Sequence, residues 1–153
     1  SETFADESFL ESYTIIDSNQ DGTKWEPYFG KVQISYNSEL AMDDWLITPA
    51  LVMQKEMVLN FDFEYRYLAG DVFTLMISTD FNGDPSSISS ATWVDVTPDN
   101  LDKTNDKSFT SYSVDLASYI GQTIYVGFRY IGDNATGLTT TCQIDNVYVG
   151  IPK

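Results

Sequence analysis

Histidine is absent from the sequence. That absence removes the commonest general base, the usual zinc ligand and every Ser–His or Cys–His nucleophile pair. Cysteine occurs once, at Cys142, so no intrachain disulfide can form and the redox compartment is left open. Positive charge is scarce: 8 Lys and Arg stand against 23 Asp and Glu, a formal net charge of −15. A surface so negative repels phosphate backbones and anionic headgroups, which disfavours nucleic acid and membrane-surface partners and favours divalent cations. No apolar run reaches the ~18–20 residues that span a bilayer. The acidic start, Ser1 to Glu7, lacks the basic and apolar regions of a signal peptide, as expected of a mature or trimmed segment. Helical patterning is equally thin. Only Leu116 to Gly121 reads as a single turn, closed by its glycine.

What is present is a period of two. The 153 residues, 42% hydrophobic and 14% aromatic, are enough for one packed domain over residues 1–153 without linker, repeat or low-complexity tract. From Leu59 to Tyr67 every odd position is apolar and every even one polar. This predicts a half-buried strand with Leu59, Phe61, Phe63 and Tyr65 facing the core and Asn60, Asp62, Glu64 and Arg66 facing away. Val72–Ser78, Ser111–Leu116, Ile124–Tyr130 and Gln143–Val149 read as further strands. Trp45–Pro49, stopped by its proline, suits an edge or a strand end. Gly, Pro, Asn and Asp cluster between the strands, so the expected fold is an all-β sandwich. The polar stretch from Thr97 to Phe109, including Asn105, is expected to be a solvated hairpin or crossover.

The sharpest local motif is Asp17-Ser18-Asn19-Gln20-Asp21-Gly22. Oxygen side chains at alternate positions before a glycine match the first half of a calcium loop, and equally an Asx-turn without metal. An EF-hand is excluded, because the twelfth position from Asp17 is Tyr28 and no long helices flank the loop. A second cluster, Asp43-Asp44, is either a solvated pair or has one member that ligates a cation or orients a loop. A third is the break in alternation at Ile144-Asp145-Asn146-Val147. It predicts a bulge, with Asp145 either compensated by a cation or backbone N–H groups, or turned to solvent. Aromatics near loops (Trp25, Tyr28, Phe29, Tyr36, Trp45 and Trp93) are each candidates for sugar stacking or for core packing. Of these, the neighbourhood of Trp25, Tyr28 and Phe29 is the expected ligand site, where apolar faces and carboxylates converge. Cys142 reads as a small buried hydrophobe, and no catalytic residue is assigned.

Taken in order, the motifs resemble those of one family. Tyr13 to Trp25 is similar to the "TIDxDGDGxxW" opening of cleaved-adhesin domains, also called choice-of-anchor J domains. Asp43 to Leu51 resembles their "DxWLxTPxL" segment, and Ile77-Ser78-Thr79-Asp80 with Trp93 their "STD…W" hairpin. Tyr125 to Tyr130 resembles the "YVAFRY" strand, and Ile144 to Val147 the closing "IDDV". The resemblance implies a jelly-roll β-sandwich of the galactose-binding-like kind, on secreted or cell-surface proteins of Bacteroidetes such as the haemagglutinin/adhesin regions of gingipains. It implies a structural calcium and a role in adhesion to glycans or host proteins. Carried over by position, Asp17, Asn19, Asp21 and Asp145 are the metal residues, so the expected ion joins the acidic loop to the closing strand. Asn19, Gln20 and Asn146 depart from the family's more acidic pattern. The expected function is a non-catalytic extracellular adhesion or carbohydrate-binding module of a larger protein. A small glycan-processing enzyme and a passive spacer are the competing classes.

Overall fold

The computed structural model describes residues 1–104 and 106–153; Asn105, in the expected crossover, lies outside the described residues. The described residues form eleven strands arranged in two antiparallel sheets. The first runs β1 (Thr14–Ile16), β4 (Met42–Ile47), β10 (Thr123–Gly132), β7 (Phe73–Ser78) and β8 (Val94–Asp95), with β5 (Leu51–Val52) also paired to β10. The second runs β2 (Glu26–Tyr28), β3 (Lys31–Ile34), β11 (Thr141–Gly150), β6 (Val58–Arg66) and β9 (Thr110–Asp115). Short 3-10 turns at Glu7–Glu11, Pro85–Ser87, Ala117–Tyr119 and Asn134–Thr136 are the only helical segments among the described residues. This is the expected jelly-roll β-sandwich.

The period of two sets which side chains meet between the sheets. Leu59, Phe61, Phe63 and Tyr65 of β6 are buried in the core, as their alternation predicts. Phe61 and Phe63 lie against Phe128 of β10 and Phe73 of β7, with ring centroids 5.7 and 4.4 Å apart, so aromatic pairs tie one sheet to the other. Cys142 and Ile144 of β11 join the same cluster. The bulge is present too. Register with β6 shifts between Asp145 and Tyr148, Asn146 takes a φ of 50°, and Ile144 and Val147 both reach the core.

Three details sharpen the sequence reading. Of the edge and the strand end that Trp45–Pro49 allowed, β4 takes the strand end: it pairs with β1 on one side and β10 on the other, and Pro49 falls after its last residue, where no ladder hydrogen bond is lost. Glu64 points away from the core as predicted yet is fully covered, because Arg66, two residues on along the same face, ion-pairs with its carboxylate. The crossover from β8 to β9 changes sheets and is pinned from within. Leu101 is buried, and the Asp102 backbone N–H donates to the Tyr112 hydroxyl at 2.8 Å.

Candidate functional site

Strand pairing builds an acidic centre at one end of β1 and β4. The last pair of their ladder is Ile16 with Trp45, so the chain leaves β1 at Asp17 directly beside Asp44. The loop then folds on itself through its own side chains. Asp17 accepts from the Gly22 N–H at 2.8 Å and the Asp21 N–H at 3.4 Å, Asn19 accepts from the Asp21 N–H at 3.2 Å, and Asp21 accepts from the Thr23 N–H at 2.8 Å. Gly22 has a φ of 83°, a left-handed conformation that glycine takes without steric penalty. Two further bonds fasten the loop to β4 and to the residue before it: the Ser18 hydroxyl donates to the Asp43 carbonyl, and the Asn19 amide donates to the Ala41 carbonyl at 2.8 Å.

The result brings carboxylate oxygens of Asp17, Asp21 and Asp44 within 4.8 Å of one another. Asp44 has the same parity on β4 as Met42 and Leu46, both in the core, and its exposure is 0%. Among the described residues neither of its oxygens has a hydrogen-bond partner, and one Asp21 oxygen is also buried without one. Burial pushes the Asp44 carboxyl up to about 7, and Asp17 and Asp21 add to the rise by repulsion. The Ser18 backbone N–H faces it and offsets part of this without closing a hydrogen bond of ordinary geometry. A buried carboxylate facing two others is costly unless it is protonated or balanced by a cation. The donors are all oxygen, the ligand type of hard cations such as calcium rather than of thiolate- or imidazole-bound metals.

The expected metal residues therefore divide. Asp17 and Asp21 meet as their spacing suggested, and Asn19 lies in the same loop as an anchor on Ala41 and Asp21. Asp145 does not join them. It sits on β11, in the other sheet, opposite Asp62 of β6. Burial raises its carboxyl, countered by the Asn146 N–H and Lys31, while Asp62 adds to the rise. The bulge in β11 turns Asn146 to Asp62, with its amide donating to the Asp62 carboxylate at 2.8 Å. The residue that replaces Asp145 in the cluster is Asp44. Its signal in the sequence was an aspartate on the core parity of a strand, between Met42 and Leu46.

The expected ligand residues divide as well. Trp25 is wholly buried in the main core and presents no face to a ligand. A large indole following the loop fills the space between the sheets, where it removes the most apolar area from water. Tyr28 and Phe29 are exposed at the β2–β3 hairpin, edge to face at 4.7 Å, with Phe29 85% exposed.

A family model described as "Domain of unknown function (DUF5017)" matches residues 36–149. No curated protein matches the sequence. Among solved structures, the K3 cleaved adhesin domain of Lys-gingipain from Porphyromonas gingivalis W83 is similar with a TM-score of 0.65 and 21% identity, over 99% of this chain and 97% of that one. The K1 cleaved adhesin domain of the same protein gives 0.63 and 23%, with the same coverage. A CBM4 structure gives 0.56 and 9%, over 92% of this chain and 94% of its own. At these identities the likeness is one of fold.

Proposed function

The chain belongs to the DUF5017 family, and on that footing we propose that it is a non-catalytic extracellular binding module whose loop end is held together by a calcium ion, with glycans as its ligands. One observation carries the metal: Asp44 is fully buried, has no hydrogen-bond partner and faces Asp17 and Asp21. Calcium takes roughly six to eight oxygens, so backbone carbonyls and water complete a shell begun by these carboxylates. The ion joins the loop after β1 to β4, where three carboxylates otherwise repel one another. The binding role is supported by fold likeness to proteins named as adhesin domains and as CBM4. The extracellular assignment rests on the same gingipain likeness.

Thermal melting with calcium and with a chelator tests the reading. An ion that binds only the folded state stabilises by roughly 2.7 kcal/mol at a hundredfold excess over its dissociation constant. For a chain of this length that is a rise of about 5–10 °C in Tm. Identical melting in both conditions, with no calcium retained after dialysis, overturns the metal. Absence of binding to any glycan on an array overturns the ligand class.

A further inference from the structure

A β-sandwich ordinarily turns polar residues outward, but the outer face of the first sheet carries a second apolar cluster of Ile16, Trp45, Ile47, Met76 and Phe81. The connection from β7 to β8 folds back over it and brings Trp93, half-buried, onto Trp45, with ring centroids 4.7 Å apart. This packing leaves a cleft of about 500 Å³ bounded by Trp45, Trp93, Asp43, Arg129, Ser18 and Ser89. We propose that this cleft is a glycan subsite, in which a neutral hexose ring stacks beside Trp93 and is hydrogen-bonded by the Asp43–Arg129 pair. The proposal rests on the glycan reading above and assigns it a place that the sequence did not.

Four features fit a sugar. The volume falls in the ~300–1,000 Å³ range of small-ligand pockets. The aromatic wall is rigid: Trp45 lies so close over Gly127 that a Cβ there would stand 2.7 Å from the ring, and the Trp93 Nε1–H donates to the Ile88 carbonyl at 3.2 Å. An indole held in this way offers a flat apolar surface to the C–H face of a pyranose without first losing rotamer freedom. The polar wall is equally fixed. Arg129 donates through Nε and Nη2 to the two Asp43 oxygens at 2.8 and 2.7 Å, and its guanidinium lies 4.9 Å over the Trp45 ring. Both groups keep further donors and acceptors for ring hydroxyls, since the bidentate pair uses only one edge of the guanidinium.

Charge narrows the class. The Arg129 cation is already matched by Asp43, and the chain around it carries a net charge of −15, so an anionic sugar meets repulsion without a free cation to offset it. Neutral hexoses are the ligands that fit.

The test is titration of the intact domain with neutral oligosaccharides of β-linked glucose, galactose or mannose, read by tryptophan fluorescence and calorimetry, with melting checked for each variant. Trp93→Ala is expected to weaken binding on the order of tenfold or more, whereas Trp93→Phe stays within about threefold. Ser89→Trp, which fills the cleft from an exposed rim position, is expected to block binding with Tm unchanged, and it decides the matter should Trp93→Ala fail to fold. Phe29→Ala is expected to bind like wild type. Binding that survives Ser89→Trp overturns this site and leaves the glycan reading intact; its loss with Phe29→Ala would move the ligand to the β2–β3 hairpin. Wild-type protein that binds none of these sugars overturns the neutral-hexose subsite, and only if the glycan array is also blank does the glycan reading fall with it.

Discussion

Asp43 and Asp44 are neighbours in β4 whose side chains leave opposite faces of the sheet. Asp43 turns outward and is held by both nitrogens it meets on Arg129, while Asp44 turns inward and accepts no hydrogen bond from the described residues. One strand thus supplies a paired carboxylate to the outer cleft and an unpaired one to the acidic centre. The Ser18 hydroxyl, bonded to the Asp43 carbonyl, links the two places.

Removing the inward charge is expected to reverse the usual effect of a core substitution. With a chelator present, Asp44→Asn should melt above wild type, because it removes a buried charge that repels Asp17 and Asp21. With calcium present the order should invert, since the variant loses a ligand and its calcium-dependent shift. Calorimetric melting of both proteins in both conditions gives the four values; a variant that still gains stability from calcium refutes the assignment.

The same group sets a pH dependence for the metal-free protein. Asp44 goes from an ordinary 3.8 to about 7 on folding, so between these values the folded state holds a proton that the unfolded state releases. Its contribution therefore falls as pH rises through this window, by about 1.4 kcal/mol for each unit of raised pKa. Urea unfolding at about pH 5 and about pH 8 in chelator should show wild type losing more stability than Asp44→Asn. Equal losses refute it.

Gly127→Ala is expected to destabilise by about 1–3 kcal/mol, the cost of overpacking. Its Cβ would stand 2.7 and 2.8 Å from Trp45 Cε3 and Cζ3, and Trp45 is wedged between β10 and Trp93. Chemical denaturation measures the loss, and a blue- or red-shifted tryptophan emission reports the displaced ring.

Trp25→Ala should cost about 3–5 kcal/mol, as for a wholly buried indole. Phe29→Ala should stay within about 0.5 kcal/mol of wild type. Equal effects on the melting temperature refute the division of the expected ligand site into core and surface.

Cys142 is buried in β11, and burial pushes its thiol well above the ordinary value. The native protein is expected to resist a thiol reagent at neutral pH and to react fully in denaturant. Rapid labelling of folded protein refutes this.

The sequence by itself determined which face of β6 looks inward, because alternation is a local property that survives any strand order. It also determined the Asp17–Gly22 turn, whose internal hydrogen bonds close within seven residues of chain, and the bulge at Asp145, where the alternation breaks. Which distant residues meet was decided by strand pairing. The ladder of β1 on β4 puts Asp44 beside Asp17, while β11 carries Asp145 into the other sheet; both aspartates read alike in the sequence. Arg66 covers Glu64, Trp25 enters the core, and Gly127 admits Trp45 so that a cleft opens beside Trp93. The last two rest on contacts between residues far apart in the chain, where shape and charge are matched only after the sheets have come together, whereas Arg66 reaches Glu64 from two residues away on the same strand face.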